Sequence, residues 1–255
     1  MRYSRNGHLA TMSDSASHFA TASGPHPSAA IVPAAGASRR MGRPKLLLPY
    51  RDSTVLGTLV AALRVAGVSP IVVVAAADDS EMRAWCAATI AAAATTDAAG
   101  LTVAVNAAPE RGMLSSILAG LAALGGAGTL AGGRAALLVC PGDLPALRPG
   151  TVVELLRRRE AAGAGLAVPV HRGRRGHPLA VAPALVPEIE NLDPGRGLRQ
   201  LLDLHPDDLL TIEVDDPGCV ADLDTPEDYE RLHGSGGMPR ADGSAGPRDE
   251  PRGED

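Results

Sequence analysis

Short apolar runs alternate with longer segments of helical spacing through the middle of the chain. The runs at 29–32, 71–75, 101–105 and 135–140 are almost entirely apolar, which is typical of strands buried on both faces. Between them, segments 54–66, 79–94 and 114–124 carry apolar residues at helical spacing and predict helices. This alternation predicts an α/β fold, a Rossmann-like three-layer α/β/α arrangement with a mostly parallel sheet.

The pattern becomes less regular after residue 150. It predicts a helix at 151–161, strands at 165–170, 178–182 and 209–214, a basic loop at 171–177 and a closing helix at 226–232. In open parallel sheets, ligands bind beyond the carboxyl ends of the strands. The loops that follow Val32, Val105 and Cys140 are therefore the expected ligand-binding loops.

The two ends of the chain differ from its middle. Residues 1–28 and 234–255 are rich in Gly, Pro, Ser and charged residues, and they offer little apolar surface to offset the entropy cost of ordering. We therefore predict a disordered leader over 1–28, one folded domain over 29–233 and a disordered tail over 234–255.

Composition excludes several classes of function. The formal net charge is -5 and aromatic residues make up 2% of the 255 residues, so a nucleic-acid-binding role is not expected. No apolar run is long enough to span a bilayer, which predicts a protein without a membrane segment. The three cysteines are scattered and lack metal-ligand spacing, which favours reduced thiols and a cytoplasmic protein.

The loop after the first predicted strand is the strongest candidate for phosphate binding. Small residues open the segment 33–45, and it then collects Arg39, Arg40, Arg43 and Lys45. Small residues let backbone N–H groups approach phosphate oxygens, Ser38 adds a hydroxyl, and the basic residues neutralise charge. The spacing fits neither the P-loop nor the G-x-G-x-x-G fingerprint. An ordinary strand-to-helix turn beside a solvated basic patch is the alternative interpretation.

Two acidic segments are candidates for a metal site. Asp143 follows a predicted strand directly and lies between Pro141 and Pro145, and a second cluster occupies 222–228. There, Thr225 is the expected N-cap and Pro226 the first helical residue. Magnesium prefers carboxylate oxygens together with water and phosphate oxygens, so one Asp from each segment meets its needs. The alternative is a structural role for both, as a turn cap and as a helix N-terminal carboxylate.

Residues 34–45 read AAGASRRMGRPK, and this string resembles the A-A-G-x-S-x-R-M-G-x-x-K signature of nucleotidyltransferases that activate sugars and pterins. In that family the loop wraps a nucleoside triphosphate and the lysine contacts its phosphates. The resemblance implies a nucleotidyltransferase domain whose triphosphate-binding residues are Ala34, Ala35, Gly36, Ser38, Arg40, Gly42 and Lys45. It also implies that Lys45, Arg40 and Asp143 are catalytic, and that Asp143 and Asp224 hold Mg²⁺, with Asp222 as the alternative to Asp224.

Two further segments resemble those of the molybdenum cofactor cytidylyltransferase branch. Residues 106–116 resemble its base-reading segment, which implies nucleotide contacts by Asn106, Gly112, Ser115 and Ser116. Residues 173–178 resemble its G-x-x-G-H-P loop, which implies acceptor binding by Arg174, Arg175 and His177. The implied reaction joins CMP from CTP to the phosphate of a molybdopterin-type cofactor and releases pyrophosphate. A molybdenum hydroxylase or its insertion chaperone is the implied recipient.

Other functions stay open at this point. The same fold would suit a guanylyltransferase or a sugar-phosphate nucleotidyltransferase. A non-catalytic chaperone that binds a cofactor or nucleotide is an alternative from another class, although Lys45, Asp143 and Asp224 are all present. An NAD-dependent dehydrogenase is not expected, because its glycine fingerprint is missing.

Overall fold

The computed structural model describes residues 28–36, 44–93, 100–127, 130 and 136–233. Their main sheet has the strand order β10-β7-β9-β6-β1-β4-β5, with β8 paired to β7. The strands are β1 Ala29–Pro33, β2 Pro49–Tyr50, β3 Ser53–Thr54, β4 Ile71–Ala76, β5 Leu101–Asn106, β6 Leu137–Val139, β7 Leu166–His171, β8 Arg174–Arg175, β9 Leu179–Val181 and β10 Leu209–Glu213.

The sheet is mostly parallel, as predicted. β1 pairs in parallel with β4 and β6, β4 with β5, and β7 with β10. β9 runs antiparallel between β6 and β7, and β8 is antiparallel to β7. The carboxyl ends of six parallel strands and the amino end of β9 therefore lie at one edge of the sheet.

Helices cover both faces of the sheet. They are α1 Val55–Val65, α2 Ser80–Ala93, α3 Met113–Ala123, α4 Pro149–Ala162, α5 Val186–Ile189, α6 Arg199–Leu204 and α7 Pro226–His233. Within β1, Ala30 and Val32 face a core shared with α1, α2, α4 and α7, whereas Ile31 faces a core shared with α3, α5 and α6. The three-layer α/β/α prediction is therefore confirmed.

Close packing of α3 on the sheet depends on one glycine. A Cβ atom added at Gly120 would lie 2.6 Å from Cγ2 of Ile31, which is shorter than any normal contact. Gly120 therefore lets the axis of α3 approach β1 closely.

Where a helix or strand was predicted, its observed boundaries agree within a few residues. β8 lies in the segment predicted as a basic loop, and α5 and α6 have no counterpart among the predicted helices. The hairpin of β2 and β3 was not predicted, and Arg51 in its turn has a φ of 52°. The strand predicted at 135–140 is shorter, Leu137–Val139. The predicted leader and tail lie outside the described residues, apart from Ser28, and so does part of the break near 125–133. In the part of the chain described, none of the helices has the length and apolar character to cross a bilayer.

Candidate active site

One lysine joins two distant aspartates at the carboxyl edge of the sheet. Lys45 begins the short 3₁₀ helix Lys45–Leu47. Its Nζ donates hydrogen bonds to Oδ2 of Asp143 at 2.8 Å and to Oδ1 of Asp224 at 2.9 Å. The loop after β1, the turn after β6 and the acidic segment before α7 therefore meet at one ammonium group.

Backbone contacts place Asp143 and Asp224 beside each other. Gly142 N donates to Pro33 O at 3.2 Å, which holds the turn after β6 against the end of β1. Leu223 N donates to Asp143 O at 3.1 Å, which brings the 222–224 segment alongside the same turn. The two carboxylates are thus positioned by main-chain hydrogen bonds as well as by their shared lysine.

Thr225 caps the helix that follows Asp224. The Asp228 N–H donates to Thr225 Oγ1 at 3.2 Å, and Asp228 Oδ2 accepts from the backbone N–H groups of Thr225 and Asp224 at 2.9 and 3.1 Å. This reciprocal arrangement is a capping box with Asp in the third helical position. The predicted N-cap is confirmed, and the cap fixes the backbone of Asp224.

Asp216 anchors the amino end of the acidic segment. Asp216 is 2% exposed. Oδ2 accepts from Thr151 Oγ1 at 2.6 Å and from Arg148 N at 3.0 Å, while Oδ1 accepts from Gly218 N at 2.9 Å. Because Arg148 directly precedes α4 and Thr151 lies in its first turn, Asp216 caps that helix from a distant part of the chain.

The two aspartates keep Lys45 charged. Burial by itself would lower the pKa of Lys45, but hydrogen bonding and Coulombic attraction, first from Asp143 and then from Asp224, raise it above its ordinary value. The lysine side chain is 15% exposed, and those of Asp143 and Asp224 are 18% and 43% exposed. A compact positive charge is therefore held at the rim of the sheet.

A cleft of about 280 Å³ lies on one side of Asp143. Six of the residues predicted to bind the nucleotide line it: Ala34, Ala35, Gly36, Lys45, Gly112 and Ser116. Gly112 precedes α3 and has a φ of 88°, a conformation that favours glycine. Ser38, Arg40 and Gly42, which were predicted to complete the loop, lie outside the described residues.

Asn106 supports the wall of this cleft from behind. Its Nδ2 donates to Ser115 Oγ at 2.8 Å and to Ser116 Oγ at 3.0 Å, and its Oδ1 accepts from Ala108 N at 2.9 Å. Asn106 is 4% exposed and is not among the residues that line the cleft, and neither is Ser115. These contacts indicate that Asn106 orders the loop before α3, and its predicted contact with the nucleotide stays a prediction.

A second cleft of about 370 Å³ lies on the other side of Asp143. All three residues predicted to bind the acceptor, Arg174, Arg175 and His177, line it together with Asp222 and Asp224. The two arginines form β8 and are exposed. Desolvation lowers the pKa of His177, although the nearby carboxylates of Asp143 and Asp222 oppose this shift. The two clefts share Asp143, Pro141 and Met113 as walls.

The site offers two carboxylates to a metal ion. Oxygens of Asp143 and Asp224 both lie within 3 Å of the same ammonium nitrogen, so a small cation placed between them would reach both. The described residues contain no group of three or more His, Cys, Asp or Glu side chains that could hold a metal. This donor set fits Mg²⁺, which commonly takes one or two carboxylates and completes its shell with water and phosphate oxygens.

Comparison with known proteins identifies the family. The family model of the MobA-like NTP transferase domain matches residues 30–209. The chain belongs to the MobA-like NTP transferase family. The predicted nucleotidyltransferase family is therefore confirmed. The match begins in β1 and includes Lys45 and Asp143, and it ends before the segment that carries Asp216 and Asp224.

Individual relatives of this MobA-like transferase carry different names. Molybdenum cofactor cytidylyltransferase of Escherichia coli (strain K12) is 27% identical over 202 residues, which cover 78% of this chain and 92% of the relative. Nicotine blue oxidoreductase of Paenarthrobacter nicotinovorans is 33% identical over 210 residues, covering 79% and 94%. The structure of Rv0371c from Mycobacterium tuberculosis H37Rv in complex with manganese matches with a TM-score of 0.54 at 25% identity, covering 82% and 99%.

Two residues near the site, Met113 and Asp216, were not predicted from the sequence. Met113 is 51% exposed and lines both clefts. It directly follows Gly112 at the start of a predicted helix, and this position could have indicated a place near the ligand. Asp216 precedes Pro217 and Gly218, so the sequence indicates only a turn there.

Proposed function

We propose that this MobA-like transferase moves CMP from CTP to the phosphate of a molybdopterin-type cofactor and releases pyrophosphate, with Mg²⁺ as the metal. The observation that carries the proposal is the ammonium of Lys45, held by Asp143 and Asp224 where two clefts meet. The relative named as a molybdenum cofactor cytidylyltransferase supports the choice of substrates.

The cleft lined by 33–36 suits the triphosphate. Ala34, Ala35 and Gly36 have little or no side chain, so phosphate oxygens can approach their backbone, and a Cβ atom at Gly36 would meet nothing within 4 Å. Lys45 supplies a positive charge at the end of this cleft. By the family resemblance, Ser38, Arg40 and Gly42 complete the triphosphate site, and Gly112 and Ser116 approach the base.

The cleft lined by β8 suits a phosphorylated acceptor. Arg174 and Arg175 bring two guanidinium groups to its wall, and guanidinium groups bind phosphate oxygens in bidentate geometry. His177 lines the same wall, and its lowered pKa favours the neutral imidazole at pH 7, which can still share a hydrogen bond. The acceptor phosphate would then approach Asp143 from the side opposite to the triphosphate.

The chemistry needs positioning more than proton transfer. An oxygen of the acceptor phosphate attacks the α-phosphorus, a new P–O bond forms, the bond to the bridging oxygen of the β-phosphate breaks, and pyrophosphate leaves. The attacking phosphate is already ionised near neutral pH, so no base has to remove a proton. Lys45, with Arg40 by resemblance, stabilises the negative charge that develops on the phosphates.

Asp143 and Asp224 are the residues that would hold Mg²⁺. When bound, the metal supplies charge neutralisation and orientation of the triphosphate. The manganese complex of the Mycobacterium tuberculosis relative supports a divalent metal in proteins of this fold. Asp222 lines the cleft beside Asp224 and is the alternative ligand. For the recipient of the product we propose a molybdenum hydroxylase or its insertion chaperone, in the cytoplasm.

A redox function is the second candidate, because the relative named nicotine blue oxidoreductase has 33% identity over 210 residues. An oxidoreductase would place an electron donor and an electron acceptor in the same two clefts. It would not require the triphosphate-neutralising lysine between two carboxylates, which is why nucleotidyl transfer is preferred. GTP or a sugar phosphate as substrate would leave the site chemistry unchanged.

The test measures pyrophosphate release and identifies the nucleotide product by mass spectrometry. Purified protein is mixed with Mg²⁺, purified molybdenum cofactor and CTP, GTP or ATP in separate reactions. Release with CTP but not with GTP or ATP supports the proposal. Lys45→Ala and Asp143→Asn should each reduce this release about 10²-fold or more. Asp203→Asn is the matched control, because this carboxylate lies 49% exposed in a surface ion pair with Arg196.

Other outcomes redirect the assignment. Release with GTP would transfer the proposal to guanylyl transfer. Pyrophosphate from none of the triphosphates would overturn the cytidylyltransferase assignment, and sugar phosphates would then be tested as acceptors. Oxidation of NADH or NADPH with a quinone-type dye, undiminished by Lys45→Ala, would instead favour the redox candidate.

A further inference from the structure

Lys45 occupies the space that a metal ion would need. Its Nζ lies 2.8 Å from one oxygen of Asp143 and 2.9 Å from one oxygen of Asp224, so the ammonium bridges the two proposed metal ligands. We propose that Lys45 and the divalent cation compete for these carboxylates, so that metal entry moves the ammonium off Asp143 and Asp224 toward the triphosphate. This inference rests on the proposed function for the identity of the metal site.

The competition follows from charge and geometry. Asp143 Oδ2 and Asp224 Oδ1 are brought together by the ammonium, so a cation that joins the two carboxylates through these oxygens would take its position. An ammonium and a divalent cation that both bound these oxygens would lie close together and would repel each other strongly. Without either cation, two carboxylates side by side would repel instead. The gap between these two oxygens therefore favours either the ammonium or the metal ion over both together.

The cleft that Lys45 lines can receive its ammonium group when a metal ion binds. Lys45 lines the cleft formed with Pro33, Ala34, Ala35 and Gly36, whereas Asp224 lines the cleft on the other side of Asp143. Moving away from Asp224 therefore carries the ammonium toward the residues proposed to hold the triphosphate, whose oxygens offer new partners. The exchange would make tight metal binding depend on the nucleotide, because the nucleotide stabilises the displaced lysine.

The chain uses lysine only at this position. Lys45 is the single lysine, and the other 23 of the 24 basic residues are arginines. An ammonium is a compact point charge with three donors, whereas a guanidinium is planar and larger. A gap that must accept either a side-chain cation or a small metal ion favours the ammonium. The same fact makes Lys45 the only side-chain amine available to a labelling reagent.

Metal binding without nucleotide tests the exchange. Free Mn²⁺ is measured by electron paramagnetic resonance in titrations of the wild type, Lys45→Met and Lys45→Arg. Removal of the competing charge should let Lys45→Met bind Mn²⁺ about tenfold more tightly than the wild type. Adding Asp224→Asn to Lys45→Met should abolish this gain. Arg196→Met, which removes the arginine of a surface ion pair, should leave the affinity unchanged.

Labelling of the wild type gives a second readout that needs no variant. Lys45 is 15% exposed while it is paired, so we expect Mn²⁺ alone to speed its acylation by an amine-selective reagent, and CTP added with the metal to slow it again. The Lys45 peptide is quantified by mass spectrometry. Acylation that Mn²⁺ leaves unchanged or slows would overturn the exchange.

The outcomes separate this inference from the proposed function. If the wild type binds Mn²⁺ with CTP but a folded Lys45→Met binds Mn²⁺ alone no better than the wild type, the exchange is wrong and the proposed function stands. If no protein binds Mn²⁺ with or without CTP, both the metal site and the exchange are wrong.

Discussion

Replacing Asp216 with alanine removes the buried carboxylate that ties the acidic segment to α4. In the wild type this side chain accepts hydrogen bonds from Thr151 Oγ1, Arg148 N and Gly218 N at 2.6, 3.0 and 2.9 Å. Alanine leaves all three donors without their acceptor in a site that is 2% exposed. Each orphaned buried donor costs about 1–3 kcal/mol, so three of them cost at least about 3 kcal/mol, and a single substitution seldom costs more than about 5 kcal/mol. We expect a loss of about 3–5 kcal/mol for Asp216→Ala.

The contribution of the ion pair with Arg148 is small by comparison. The Nε–Oδ1 distance is 3.8 Å and the arginine side chain is 61% exposed, so solvent screens most of the attraction. Asp216→Asn keeps the shape but places an amide N–H₂ group against a donor, and we expect a loss of about 1–3 kcal/mol. Both variants remove the same charge, so the difference between their losses of stability reports on the hydrogen bonds.

Urea denaturation followed by circular dichroism measures these losses. Asp203→Ala is the control, because it breaks one exposed ion pair with Arg196, and it should cost under about 0.5 kcal/mol. A loss below about 1 kcal/mol for Asp216→Ala, equal to that of the control, would refute the role of Asp216 as a tertiary helix cap.

Three further predictions concern packing, pH and water exclusion. Gly120→Ala should lose about 1–3 kcal/mol in urea denaturation because its Cβ atom would meet Ile31, whereas a Cβ atom at Gly150 meets nothing within 4 Å and Gly150→Ala should change stability little. Hydrogen bonding to Arg157 lowers the pKa of Glu154 to about 2, so the stabilisation removed by Glu154→Gln is fully present above the ordinary pKa of 4.5 and is lost as the pH falls toward 2; denaturation at pH 7 should show a loss under about 1 kcal/mol that disappears near pH 2. Met113→Ala opens the wall shared by both clefts, so the ratio of CMP to dinucleotide product, measured by chromatography, should rise, and an unchanged ratio would contradict this role.

The sequence predicted the main strands and helices because the strands are continuous apolar runs and the helices carry apolar residues at helical spacing. Ile71–Ala76, for example, is buried at all six positions, and a run of this kind has few alternatives to a central strand. The β2–β3 hairpin was not predicted, because each strand has only two residues and is too short to show the alternation of apolar and polar positions.

Side-chain partners at the site were harder to predict. The family signature indicated Lys45, Asp143 and Asp224, but their hydrogen bonds span 98 and 179 residues, and no spacing rule relates positions so far apart. The hydrogen bonds of Asn106 could not be predicted either. Its side chain at the end of β5 binds Ser115, Ser116 and a backbone N–H, and this network depends on how the following loop folds.

The reversed direction of β9 explains how both clefts come to share Asp143. β9 is antiparallel to β6 and β7, so the residues that precede it, Arg174 to His177, arrive at the edge where the parallel strands end. Arg174 and Arg175 are also held at this edge by the pairing of β8 with the carboxyl end of β7. The same edge receives the loop after β1, which carries the nucleotide-binding candidates, on the other side of β6. The β7–β8 hairpin and the reversed strand β9 thus place an arginine-lined cleft and a lysine-lined cleft against a single turn, and this arrangement suits the transfer between two phosphorylated substrates that we propose.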